Sequence, residues 1–467
     1  VSFTIQGVLI ASESGYETVD VQIVGERITA IAPQLEPLGT LVEGKNKLLL
    51  PGFVNAHTHS PEMWQRGSIS PMPLELWLAE LYDFAPLEPE QVYLSALHTA
   101  AETLLSGGTC LVDHLILIPG REIETIAAAA QAYKEIGIRA FIAPLIQDAS
   151  LAASLPSGGI QQDIRPHLHT AATVLALIEQ SVAQFHQPEI GISVIPAPTG
   201  VHLCSDELLK GCVELSDRHQ LCLHTHLLET RAQQLLAQEK YGCSAVAHLH
   251  KLGFLGERTS LAHCVWLEES DITILAETQS TVVHNPLSNL RLGSGIAPIF
   301  RYLESGVNVA FGCDGASSND AQDLLEAIKI GSILHNVTDP DYRRWITPRQ
   351  AIAMASLGGA KGLNLADEIG TLTLGKKADC VLYDLTHLSL LPRTDPIGLL
   401  VLGRSAQAVH SAWVNGKQVV SAGQLTTVDL EQLRQALFAQ SQEKMWRDSR
   451  TLPALEKQYR TVMGLTS

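Results

Sequence analysis

Pro51-Gly52-Phe53-Val54-Asn55-Ala56-His57-Thr58-His59 follows directly on the apolar run Leu48-Leu49-Leu50, and the whole reads as one buried strand, Leu48–His59. Side chains alternate faces along a strand, so His57 and His59 share one face and Thr58 takes the other. Two imidazoles at the end of a buried strand suit a borderline metal ion such as zinc. They suit equally well two histidines that cap the strand through hydrogen bonds.

Beyond this stretch, short apolar strands alternate with amphipathic helical segments, the signature of parallel βα units. Eight strand candidates stand in order: Leu48–His59, Thr109–His114, Arg139–Leu145, Ile192–Thr199, Leu221–His226, Ser260–Val265, Ser280–Asn285 and Val307–Asp314. Helical stretches fall between them, at Val92–Leu105, Ile123–Ile136, Ala171–Phe185, Ser205–His219 and Ala297–Ser305. The pattern predicts an α/β fold, a (β/α)8 TIM barrel. An open doubly wound sheet would carry a Gly-rich phosphate loop after its first strand, and the sequence has none there. Strand-rich flanks frame the barrel. Phe3–Ile10, Thr18–Val24 and Arg27–Ile31 precede it, and Ala378–Tyr383, Ala406–Val414 and Lys417–Val420 follow it, the last two joined by an Asn415-Gly416 turn. These flanks predict a small discontinuous β-sandwich domain built from both chain ends, residues 1–50 and 369–424, around a barrel over 51–368. Leu430–Leu437 and Leu452–Tyr459 predict a helical extension over 425–467, packed on the outside.

The chain has 467 residues, 46% apolar and 17% charged, which suits a soluble protein with a large core. Its formal net charge of −17 argues against nucleic acid and against anionic membranes, since both need a basic surface. The eight cysteines include no CxxC pair, so free core thiols of a reducing compartment are expected. No uncharged apolar run reaches the ~18 residues of a membrane helix. Val1-Ser2-Phe3-Thr4 lacks a basic-then-apolar leader pattern, and the expectation is a cytoplasmic protein.

Barrel active sites lie at the C-terminal ends of the strands. His57 and His59 end the first, Asp113 and His114 the second, and His224 and His226 the fifth. His263 ends the sixth, His284 the seventh and Asp314 the eighth. Burying so many imidazoles and carboxylates is costly unless they are paired or bind metal. The stretches PGFVNAHTH from Pro51, HTHLLET from His224, LAHCVWL from Leu261, HNPLSNLRLGSGIAPI from His284, GCDGASSND from Gly312 and GTLTLGKKADCVLYDL from Gly370 span nearly the whole chain. In that order and spacing they resemble the amidohydrolase superfamily, in its branch of metal-dependent aminohydrolases. That branch includes methylthioadenosine/S-adenosylhomocysteine deaminases, guanine and 8-oxoguanine deaminases, and triazine hydrolases.

The resemblance implies His57, His59, His226 and Asp314 as metal ligands, Glu229 as the acid/base facing the substrate, and His263 as the group that polarises water or steadies the intermediate. It implies one divalent metal ion, zinc or ferrous iron, because the strand Ile192–Thr199 offers no lysine to bridge a second. Three imidazoles and a carboxylate would leave a position for water, as a catalytic site requires. The implied reaction is hydrolytic deamination of a purine, pyrimidine, pterin or nucleoside-type amine. Water activated by the metal attacks the amino-bearing carbon, Glu229 protonates the ring nitrogen, and Asp314 with His263 carries the proton to departing ammonia.

Weaker signals surround this core. Trp77, in a PLxxWL stretch, is placed to close over the substrate or to fix a helix to the barrel; Ser318 resembles a substrate-contacting serine of the methylthioadenosine deaminases; His202 and His114 are candidates to line the pocket. Arg66 reads as a reader of a substrate carbonyl or as half of a salt bridge, and Ser288 and Asn289 as supports of the loop after strand seven. Two positions depart from the methylthioadenosine deaminases. Thr199 stands where they place a substrate-binding histidine, and Pro86 where they carry a glutamate for ribose or ring contact. Both departures point away from an adenosine-type substrate. Within hydrolysis, the alternatives are a triazine dechlorinase or a cyclic amide hydrolase on the same scaffold. A non-catalytic metal-binding barrel would lack acid/base groups, whereas Glu229, His263 and Asp314 are present. A barrel of this size is compatible with a homodimer.

Overall fold

Leu48-Leu49-Leu50 and the histidine pair belong to two different sheets. The computed structural model describes residues 2–12, 15–150, 154–156, 169–403, 406–441 and 452–465. In it the strand Lys47–Pro51 pairs antiparallel with Cys380–Asp384 and parallel with Ser2–Ser12, outside the barrel. The chain then passes Gly52, where a Cβ would lie 2.0 Å from Thr109 Oγ1, and enters the barrel as Phe53–Thr58. The single strand Leu48–His59 expected from sequence is therefore two. Both halves are buried, and the Pro51-Gly52 pair between them marks the place where the chain leaves one core and enters the next.

The barrel wall is two four-stranded parallel halves. In the first, Phe53–Thr58, Gly108–Asp113, Arg139–Ile142 and Ile192–Val194 lie in that order; in the second, Leu223–Leu227, Thr259–His263, Thr281–His284 and Asn308–Phe311. Strands three and four resume as Leu145–Ile146 and Ala197–Pro198, with Pro144 and Pro196 in the breaks, residues that lack the N–H a ladder needs. Two seams close the ring. His224 and His226 donate their backbone N–H groups to Pro196 and Thr199, both at 3.3 Å. Asp314 donates its backbone N–H to the His57 carbonyl at 2.9 Å, and Cys313 to Asn55 Oδ1 at 2.9 Å.

Helices pack outside. Those after strands two, three and four run Glu122–Ile136, Ala171–Phe185 and Asp206–His219, the last two started by Thr170 and Ser205, whose hydroxyls accept the exposed first-turn N–H groups. The helix expected over Ala297–Ser305 is the shorter Ile299–Glu304, because Pro298 sets its start.

The end sheet takes nine strands from both ends of the chain. Phe3 and Trp413 sit on strands three places apart in it, yet their rings stack at 5.3 Å. Flat strands so separated would be about 14 Å apart, so the sheet folds over its own core. Arg139, at the start of barrel strand three, pairs with buried Asp379 at 3.0 Å and ties the sheet to the barrel. Of the C-terminal helices, Leu430–Ser441 lies outside the barrel, while Leu452–Val462 places Leu455 against Leu76 and Ala79 of the helix Leu74–Tyr82. Residues 442–451 of the expected extension lie outside the described residues.

Candidate active site

Val54 and Ala56 pack in a buried cluster with Cys110, Val112, Phe141, Ala143, Ile195, Ala197, Val283 and Ala310, drawn from around the ring, so they face the barrel interior. Strict alternation from there would turn His57 and His59 outward. The pairing register instead shifts between Asn55 and Thr58, which match Leu111 and Asp113. That is one extra residue in the first strand, a bulge, and it brings His57 and His59 inward.

Four groups then converge. His57 Nε2 and His59 Nε2 lie 3.3 and 3.4 Å from Asp314 Oδ1, and His59 Nε2 lies 3.1 Å from His226 Nε2. A tetrahedral ion with bonds of ~2.0–2.1 Å has ligand–ligand edges of about 3.4 Å. These three spacings suit neighbouring ligands of one small cation, and the side chains that could hold an ion form two groups sharing His57: His57, His59, His114 and His226, and His57, His263 and Asp314. The far side of each ring is held. His59 Nδ1 meets the His114 carbonyl at 2.6 Å and His226 Nδ1 the Thr199 carbonyl at 2.6 Å. His57 Nδ1 meets His224 Nε2 at 2.8 Å, and His224 Nδ1 meets Ser260 Oγ at 2.7 Å. A carbonyl can only accept, so Nδ1 of His59 and of His226 carries a proton and Nε2 is the ring nitrogen turned to the cluster; burial lowers His59, but Glu62, Asp314 and the His114 carbonyl outweigh it and raise its pKa. His57 Nε2 is buried with no hydrogen bond of good geometry, a costly state in plain core and the expected one for a ligand. Three nitrogens and one carboxylate oxygen fit zinc or ferrous iron.

Burial lowers His57 to about 4 and holds His224 and His226 well below the usual imidazole range, so these rings are neutral. Burial opposes ionisation of Asp314, but His57, His263 and His59 together hold it well below the usual carboxylate range. His114 joins the same cluster, with ring nitrogens of His57, His59, His114 and His226 all within 4.8 Å. Its Nε2 is engaged by the Ala197 carbonyl at 3.1 Å, and its ring stacks on His226.

Glu229 lies beside this cluster without joining it. Its Oε1 accepts from Ser294 Oγ at 3.1 Å, and burial raises its carboxyl to about 7. His263 stands between the two acids, its Nε2 3.6 Å from Glu229 Oε2 and 3.8 Å from Asp314 Oδ2, with Nδ1 held by Asn289 Oδ1 at 2.8 Å. Leu228 (φ 46°), His263 (φ 75°) and Asp314 (φ 62°) all adopt left-handed backbone, which side chains of these types rarely accept and which clusters at functional sites.

The small pocket above these groups is lined by Trp77, His202 and Ser318 together with Glu62, Thr199, Gln233 and Leu292. Trp77 Nε1 donates to the Ser317 carbonyl at 3.3 Å, which fastens its helix to the loop after Asp314. Arg66 is the salt-bridge half of its two readings: it pairs with Glu102 at 3.0 Å and donates to the Asp320 carbonyl. Pro86 lines a separate apolar cavity of about 520 Å³, which shares Leu81, Tyr82, Ile116 and Leu145 with the pocket. Sequence reading missed Ser294, behind Glu229, and Glu62, and it placed His224 at the end of strand five without its role behind His57. Glu62 lies three residues past His59, a spacing with no meaning until the turn Ser60–Gln65 is seen to fold it back into the pocket.

A family model described as the amidohydrolase family matches residues 48–419. The chain belongs to the amidohydrolase family. It is similar to a 5-methylthioadenosine/S-adenosylhomocysteine deaminase of Syntrophomonas wolfei, 33% identical over 426 residues, or 90% of this chain and 92% of that one. Among solved structures it resembles the triazine hydrolase of Arthrobacter aurescens (TM-score 0.87, 25% identity, covering 94% of this chain and 99% of that one). It also resembles an adenosine deaminase of Xanthomonas campestris with bound zinc (TM-score 0.84, 26% identity, covering 94% and 97%). In this amidohydrolase all eight cysteines are free. No helix among the described residues is long and apolar enough to cross a membrane.

Proposed function

We propose that this amidohydrolase is a metal-dependent hydrolytic deaminase of a heterocyclic amine, working at His57, His59, His226 and Asp314 with one divalent ion, zinc in the first instance. The observation that carries this reading is the placing of His263 between two carboxyls of opposite character: Asp314, held ionised, and Glu229, raised to about 7. Two acids whose environments drive them apart mark an acid and a base. A divalent ion bound there supplies a water whose pKa falls towards ~7.

The chain's own groups do the rest. Glu229, whose carboxyl burial raises to about 7, gives its proton to the ring nitrogen next to the amino-bearing carbon. Asp314 takes one proton from the attacking water and passes it to the amino group, which leaves as ammonia; His263 steadies the developing oxyanion, and the second water proton returns to Glu229 as the carbonyl forms. Each such acid–base step is worth ~10²–10⁴-fold. Trp77, His202 and Ser318 orient the ring and exclude water. Ammonia release from metal-replete protein on a panel of purines, pterins, pyrimidines, nucleosides and aminotriazines tests the reading, and no release from any of them would remove it. A second reading follows from the likeness to an atrazine chlorohydrolase of Arthrobacter aurescens, with chloride as the leaving group. The same panel extended with chlorotriazines, read by chloride release, separates the two. The free buried thiols support a cytoplasmic setting.

A further inference from the structure

Glu62 is a third carboxyl in the pocket, beside Asp314 and Glu229, and the deamination scheme does not use it. It is 3% exposed and lines the same pocket as Glu229. Its carboxyl is built in. Ser317 Oγ donates to Oε2 at 2.7 Å, and no other side-chain hydrogen bond to it is found among the described residues. The loop after Asp314 makes room for it at Gly315, where a Cβ would come within 1.8 Å of Oε2. Nothing about the backbone of Gly315 demands glycine otherwise, since its φ lies outside the left-handed range. The two carboxyls reach the pocket from different sectors of the ring, Glu62 after strand one and held by the loop after strand eight, Glu229 after strand five and held by Ser294 after strand seven. Ser317 and the nearby His59 offset part of the cost of setting this acid beside Asp314, and a donor on a ligand in the pocket would add to them.

We propose that Glu62 is a specificity residue: its carboxylate accepts a hydrogen bond from an N–H or amino group on the substrate ring, on the edge opposite to the one Glu229 protonates. The substrate class is then a cyclic guanidine or amidine, a ring with a second amino or N–H group flanking the reacting C–N unit. Guanine-like, pterin-like and diaminotriazine rings qualify; a ring with a single amino group and no flanking donor does not. This rests on the deaminase reading above. A site built to accept from a substrate N–H discriminates strongly against the analogue that lacks it, because the acceptor is left unpaired.

The test uses metal-replete wild type, Glu62→Gln and Ser317→Ala with matched ring pairs that differ only in the second amino group. Wild type should prefer the amino-bearing member by tenfold or more in kcat/KM. Glu62→Gln should lose most of that preference through KM, with Ser317→Ala intermediate and metal content unchanged in both. Equal losses for both members of a pair, or loss of metal from Glu62→Gln, would overturn the proposal, since Glu62 would then serve the metal centre or the fold. If wild type releases no ammonia from any ring, the deaminase reading fails by itself. Calorimetric binding of the same pairs then decides for Glu62, with preference for the amino-bearing ring in wild type but not in Glu62→Gln as the expected result and equal binding as the overturning one.

Discussion

At the scale of single residues, the site is made by groups that hold other groups. Glu229 is the clearest case for a pH experiment. Burial raises its carboxyl from 4.5 to about 7, so the folded chain binds this proton more tightly than the unfolded one. The stability this contributes is complete below about 4.5 and is lost as pH climbs through about 7. In metal-free protein, Glu229→Gln should therefore match wild type near pH 5 in a denaturant melt and exceed it at pH 8 by roughly 2–3 kcal/mol. The same variant, loaded with zinc, should retain full metal stoichiometry and lose at least ~10³-fold in kcat, consistent with removal of a general acid. His224 behaves differently. It touches no pocket atom that reacts, but its Nε2 fixes the His57 ring. His224→Ala should weaken zinc binding ~10–100-fold, read by chelator competition, with activity recovering at high zinc.

At the scale of elements, the decisive feature is the bulge in Phe53–Thr58, which turns a strand end into a pair of inward ligands. The helix Leu74–Tyr82 is the other. It carries Trp77 over the pocket, and its buried Glu75 accepts from Thr230 Oγ1 at 2.5 Å, the residue next to Glu229 and the N-cap of the helix Arg231–Tyr241. The pocket cover and the catalytic loop are thus one hydrogen-bonded unit. Thr230→Ala removes the cap and leaves a buried carboxyl without its partner. It should cost about 2–3 kcal/mol in urea unfolding and raise KM, because the groups on both sides of the pocket lose a shared anchor. The cap at Thr230 and its partner Glu75, 155 residues away, both emerge only in the folded chain, since no local pattern encodes a long-range partner.

At the scale of the whole molecule, the barrel and the end sheet are joined by Arg139 and Asp379, a pair 5% and 1% exposed, with Asp379 Oδ1 also taking the Asn415 backbone N–H at 2.8 Å. Arg139→Met leaves a buried charge alone and should cost about 3–5 kcal/mol in a thermal or urea melt, while the double change Arg139→Met with Asp379→Leu recovers a substantial part of it. KM should not move in either, because the pair lies at the end of the barrel where the strands begin, away from the pocket.

The alternation of strands and helices, and the imidazoles and carboxylates that end so many of the strands, are local in the chain; period and residue type alone foretold a barrel and pointed to its mouth. Other properties belong to no local stretch. The division of Leu48–His59 between two sheets, the one-residue bulge that aims His57 and His59, and the closeness of Glu62 to Gly315 and Ser317, some 255 residues on, all depend on which segments pack together. Periodicity reports how a segment meets its surroundings, buried or exposed, but not which surroundings they are. Only closing the ring brings strand eight beside strand one and sets those partners.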